Sequence, residues 1–231
     1  MSAKRPAIYF LATFFVAICF FGQVAAQGEK KVAYGILIDN TGSLRTQFDI
    51  VVDVSKGIVE QTYRRGPISL FPFRTEGNSG NGVAIVSPDA EWSQDKDAIE
   101  EYIDSMFVVP GKTKLMDSIS EIATKLNTKV SEDKNAFSRK VIFLITDGED
   151  RSSSISEKDL IKLLKDSGVQ VFAVGLVNEL GDERFNNPSQ KPKAMSFLQK
   201  VTKETGGRVV FAKTKRDDAR QLVKDLFEKQ T

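Results

Sequence analysis

The chain has 231 residues, 33 Lys+Arg against 31 Asp+Glu, no His, and a single Cys at position 19. A Ser-His-Asp or Cys-His nucleophile is therefore excluded, and so are the His- and Cys-ligated sites on which most zinc chemistry depends. Lys4 and Arg5 account for the whole charge excess; from residue 27 onward Lys+Arg falls to 31 and equals Asp+Glu, so no basic surface for nucleic acid is expected. In chain order, those two basic residues precede an apolar run from Ala7 to Phe21, and Val24-Ala25-Ala26 follows. Positive, apolar, then small is the order of a secretory signal peptide. It predicts cleavage after Ala26, a domain over residues 27–231, and a secreted or periplasmic location. An uncleaved anchor is the competing reading, although the run is shorter than the roughly 20 residues of a spanning helix. Bulky Ile18 before Cys19 argues against a lipoprotein.

Apolar runs then alternate with helical patterns. Val32 to Ile38, Val141 to Ile145, Val169 to Leu176 and Arg208 to Phe211 are nearly continuous in apolar residues, as strands covered on both faces are. Ile68 to Phe73 is a further strand, with Pro72 placing it near an edge or a bend. Val83 to Val86 follows a turn-rich linker, Glu76 to Gly82, and predicts a short antiparallel edge strand. Phe48, Val51, Val52, Ser55, Ile58 and Val59 fall at helical spacing, as do Leu115, Ile119, Ile122, Ala123 and Leu126, and later Ala219, Leu222, Val223, Leu226 and Phe227. Ser156 opens a helix before Leu160, and Gly168 closes it. The alternation predicts an α/β domain, a doubly wound, mostly parallel sheet with helices on both faces. Asp49 and Asp53 read as a solvated helix face, and Trp92 as a packing residue on a loop rather than a partner-binding aromatic.

In such a fold ligands sit beyond the carboxyl ends of the strands, where the strand order reverses. After Ile38 comes Asp39-Asn40-Thr41-Gly42-Ser43, and after Ile145 comes Thr146-Asp147-Gly148-Glu149-Asp150. A third loop, Gly111-Lys112-Thr113, leads into the helix near Leu115. Carboxylates and hydroxyls from separated stretches thus gather at one end of the sheet. They suit a small hard cation, which prefers oxygen ligands. Alternate residues can turn Asp39, Thr41 and Ser43 toward one point, with Gly42 easing the bend. Gly111-Lys112-Thr113 imitates the end of a phosphate-binding loop, but Met106 stands where that motif needs Gly.

The set resembles the metal-ion-dependent adhesion site of von Willebrand factor type A domains. That pattern is D-x-S-x-S after the first strand, a Thr in a later loop and an Asp after the fourth strand. Asp39, Thr41, Ser43, Thr113 and Asp147 match it, with Thr41 in place of the usual Ser. The phrases I-L-I-D-N-T-G-S and V-I-F-L-I-T-D-G carry the resemblance, and the element order extends it over roughly residues 31 to 230. The resemblance implies Mg²⁺ or Mn²⁺ on those five residues, and a non-enzymatic module that binds a protein partner through an Asp or Glu carboxylate. Two other readings compete. A haloacid-dehalogenase-like phosphatase needs a second Asp two residues after its nucleophile, where Thr41 stands and cannot act as the general acid. A structural subunit of an envelope assembly would use a metal only to hold loop geometry.

Overall fold

The computed structural model describes residues 30–73, 91–109, 113–180, 190–214 and 217–228. Five strands form one parallel sheet: β1 (Lys31–Asp39), β2 (Ile68–Phe73), β3 (Phe137–Thr146), β4 (Val169–Gly175) and β5 (Val209–Phe211), in the order β2-β1-β3-β4-β5. The helices are α1 (Phe48–Thr62), α2 (Lys96–Asp104), α3 (Leu115–Glu132), α4 (Glu157–Asp166), α5 (Gln190–Glu204) and α6 (Ala219–Phe227).

Alternation along each strand divides the core in two. Tyr34, Ile36 and Ile38 of β1 join Val141, Phe143 and Ile145 of β3 against α1, α2 and α6. Ala33 and Leu37 join Ile142, Leu144, Val171 and Ala173 against α3, α4 and α5. Each such fully buried Leu, Ile or Phe contributes about 1.5–3 kcal/mol relative to exposure. Because both faces are covered, the strands read as unbroken apolar runs. The doubly wound expectation is met.

Ser156 caps α4, its hydroxyl accepting from the Asp159 amide, and the helix ends before Gly168. Asp49 and Asp53 lie exposed on α1, and Trp92 packs partly buried against the second core, as expected of a loop packing residue. β3 begins at Phe137, ahead of the expected Val141, because Ser138 to Lys140 form a polar, partly exposed lead-in that pairs with β1 and β4. Pro72 lies on edge strand β2, as its missing donor requires. Ile68 exchanges both backbone hydrogen bonds with Ser93, at 2.7 and 2.8 Å, on the side away from β1. Residue alternation points the amide positions of 70 and 72 the same way, so Pro72 costs the sheet no hydrogen bond. The expected antiparallel strand Val83 to Val86 lies outside the described residues, as does the signal-like segment. Among the described residues no helix is long and apolar enough to cross a membrane.

The chain runs from β1 to β2 on one side and later returns to β3 on the other. The strand order therefore reverses between β1 and β3, which opens a crevice at their carboxyl ends.

Candidate metal centre

Asp39 is the last residue of β1, and Asp147 directly follows β3. The register pairs Ile38 with Ile145, so the two tips stop side by side. Asp39 is fully buried. Its Oδ1 accepts from the Thr41 amide at 3.0 Å and the Thr41 hydroxyl at 2.7 Å, and its Oδ2 accepts from the Thr146 hydroxyl at 2.7 Å. Thr41 Oγ1 lies 3.1 Å from Ser43 Oγ. Since Thr41 gives its proton to Asp39, Ser43 is the donor between the two hydroxyls.

Asp147 is buried as well. Its Oδ1 accepts from the Glu149 amide at 2.8 Å, and its Oδ2 has no hydrogen-bond partner. The Ser43 hydroxyl is near enough to lower the Asp147 pKa, but its proton is engaged by Thr41 and Oδ2 is left unpaired. Gly148 turns this loop at φ +79°, and a Cβ there would lie 3.0 Å from Ala194 and Leu198. That backbone region favours glycine. Gly42 does not take a left-handed conformation; a 3-10 turn over Gly42–Gln47 makes the bend that Gly42 was expected to ease.

Thr113 is buried just ahead of α3, and its carbonyl accepts from the Arg151 amide at 3.0 Å. The segment leading to it is tied to the first loop: Val109 bridges Thr41, and its amide donates to the Asn40 carbonyl at 2.8 Å. Asp39, Thr41, Ser43 and Asp147 thus form one group, and the Thr113 carbonyl is tied to the loop that follows Asp147. Asp117 clamps the third side, accepting from the Ser154 and Ile155 amides at 2.9–3.0 Å.

Two carboxylates buried together are electrostatically costly. Burial, with repulsion from Asp147, pushes Asp39 up to about 7 against its hydrogen bonds from Thr41 and Thr146. Burial also raises Asp147. The nearby Arg151 guanidinium is engaged by Glu149, 2.7 Å from Nε to Oε2. Among the described residues, no three carboxylates converge as a cation-binding cluster. A mixed set of hydroxyl and carboxylate oxygens, with one buried carboxylate oxygen unpaired, fits a hard divalent cation.

Thr146 and Asp117 were not singled out from the sequence. No sequence signal marks Thr146, because the pairing of β1 with β3, and not the pattern along either strand, brings its hydroxyl to Asp39. Thr146→Val should leave Asp39 Oδ2 buried without a donor, and also remove the acceptor of the Gly148 amide, 3.0 Å away. A loss of about 1–3 kcal/mol is expected. Denaturant unfolding in chelator measures it; a variant as stable as the parent would show that this bond is not formed.

Comparison with solved structures places the fold. The pilus adhesin SpaC of Lactobacillus rhamnosus GG, in its open conformation, aligns with TM-score 0.61 at 18% identity, covering 86% of this chain and 29% of that one. Proximal thread matrix protein 1 from the mussel byssus aligns with TM-score 0.59 at 16% identity over 86% of this chain and 47% of its own. A further structure of that byssus protein, described as having a zinc-occupied metal-ion-dependent adhesion motif, aligns with TM-score 0.58 at 17% identity, covering 86% and 47%. The chain spans less than half the length of these proteins. No match emerged among curated proteins. Residues 35–225 match the profile of the von Willebrand factor type A domain, and the chain belongs to that family.

Proposed function

We propose that this protein is an exported, non-enzymatic binding module, in which Asp39, Thr41, Ser43, Thr113 and Asp147 hold Mg²⁺ or Mn²⁺ and a partner protein supplies an Asp or Glu carboxylate. The observation that carries the reading is the pair of buried carboxylates with Asp147 Oδ2 unpaired. A cation bound there supplies positive charge for the two buried acids and an electrophilic point for an incoming carboxylate. Thr41 and Ser43 present neutral oxygens, so the site keeps demand for one more negative group. Thr146 and the Thr41 amide orient Asp39, and the Glu149 amide orients Asp147. Family membership and the fold shared with a pilus adhesin and a byssus matrix protein support an adhesive role. The zinc described in the byssus protein makes Zn²⁺ a competitor to be tested, although the chain has no His and its single Cys, Cys19, lies in the signal-like segment.

The phosphatase reading gains nothing from the site. Both oxygens of Asp39 are occupied by hydroxyl donors, and Thr41 at the general-acid position has given its proton to Asp39.

Export and binding are tested together on the native protein. N-terminal sequencing should begin near Gln27. The same protein, immobilised, should capture a partner from its own medium or envelope in Mg²⁺ and release it on chelation, whereas Asp147→Asn should capture none. An intact Met1 in the exported form would remove the signal-peptide reading. Capture that survives chelation would favour metal-independent assembly.

A further inference from the structure

Beside the strand tips, between the ends of β1 and β2 and the segment after α2, lies a hollow of about 180 Å³ lined by Asn40, Pro72, Tyr102, Met106, Phe107 and Val109 among others. We propose that it is an apolar subsite for the partner residue two positions from the one that supplies the metal-bound carboxylate, with Asn40 Oδ1 accepting a peptide N–H of that segment. The inference rests on the carboxylate-binding reading above and names the kind of segment that carries the carboxylate.

Three observations converge. First, Phe107 is 67% exposed, the large hydrophobic side chain that stands out to solvent among the described residues. Its backbone is nevertheless anchored, because its carbonyl accepts from Asn40 Nδ2 at 3.2 Å. A ring held on a fixed backbone loses little freedom when a partner covers it. Second, Asn40 is 6% exposed, and its Oδ1 has no hydrogen-bond partner. The bond from Nδ2 to the Phe107 carbonyl determines which end of the amide is oxygen, so the unsatisfied atom is an acceptor. A buried acceptor without a donor is a standing cost that a ligand N–H removes. Third, the hollow adjoins the proposed metal centre. Asn40 lies between Asp39 and Thr41 in the chain, and Val109 both lines the hollow and bridges Thr41.

The chemistry of the hollow selects its occupant. Its volume is below the roughly 300 Å³ at which small-molecule pockets begin, which suits one side chain of a larger partner. None of its described lining residues is charged, so it favours an apolar side chain over a charged one. In an extended segment successive side chains point to opposite faces and every second residue, about 6.6 Å along, shares a face, so one residue can seat here while the residue two positions away presents the carboxylate. The partner segment is therefore an extended stretch with an apolar residue two positions from Asp or Glu.

A random heptapeptide display library, panned on the immobilised whole chain in Mg²⁺, tests this. Wild type should enrich Asp or Glu with an apolar residue two positions away, and chelation should release the bound clones. Phe107→Ser, at an exposed position that the fold tolerates, should keep the acidic enrichment and lose the apolar preference several-fold. Asp147→Asn should lose both. Acidic enrichment without an apolar residue at that spacing, or an apolar preference unchanged in Phe107→Ser, overturns the subsite and leaves the metal reading standing. No acidic enrichment, or enrichment that persists in chelator, overturns the metal reading and the subsite with it.

Discussion

Adding Mg²⁺ or Mn²⁺ to chelator-treated protein should raise its melting temperature by several degrees, and neither Asp39→Asn nor Asp147→Asn should show the rise. The proposed ligands come from positions 39 to 147, so the unfolded chain offers no assembled site. A ligand that binds only the native state adds RT ln(1 + [L]/Kd), about 2.7 kcal/mol at a hundredfold excess. In a domain of this size each kcal/mol moves the midpoint by roughly 2–4 °C, so a rise of about 5–10 °C is expected. Asn keeps the shape of the side chain and removes its charge, which separates loss of the cation from loss of packing. Ser43→Ala should reduce the rise less, since water can replace one neutral hydroxyl. Zn²⁺ belongs in the same series. Melts that coincide in chelator and in all three metals would sink the metal-dependent mechanism while leaving the fold untouched.

Without metal, stability should fall as pH rises from about 5 to 8. The cause is Asp39, held near 7 by burial and by Asp147, against about 3.9 for the same group in an unfolded chain. Between those values the folded protein keeps a proton that the unfolded chain has released, so raising pH favours unfolding. The stabilisation is complete below about pH 4 and is lost as pH climbs through about 7. Its full size is on the order of 4 kcal/mol. Cation binding needs the deprotonated carboxylate, so metal affinity should rise over the same range and offset the loss. The exposed carboxylates whose pKa is lowered, Asp217 and Glu204, are already ionised at pH 5 and do not mask the effect. Thermal melts in chelator from pH 5 to 8, on wild type and Asp39→Asn, measure it. A flat wild-type profile, or the same slope in Asp39→Asn, would contradict this account of the site.

Much of this architecture was legible because both faces of the sheet are covered. Val32 to Ile38 and Val169 to Leu176 read as buried strands for that reason, and β1 and β4 match them closely. The start of β3 was not legible, because Ser138, Arg139 and Lys140 pair within the sheet yet carry polar side chains. Helices α2 and α5 were not singled out. α2 has only Ile99 and Ile103 as buried anchors, although Asp95 caps it by accepting from the amides of Asp97 and Ala98. α5 carries Pro192 and several lysines that dilute its apolar stripe. At the site, Asp39 and Asp147 could be picked out because each follows a strong strand. Thr146 could not, because what selects it is a register between strands more than a hundred residues apart, and sequence periodicity carries no register.

The flanks of the sheet bear on how the molecule meets others. On β2, alternation leaves positions 68, 70 and 72 facing outward; Ser93 occupies the first, and Pro72 has no N–H to offer. At the opposite flank, β5 is three residues long. A foreign strand seeking to extend this sheet would find few peptide donors on either described edge, so sheet-to-sheet stacking between copies is discouraged. Among the described residues, neither edge offers a row of free peptide donors through which crowded copies could join backbone to backbone.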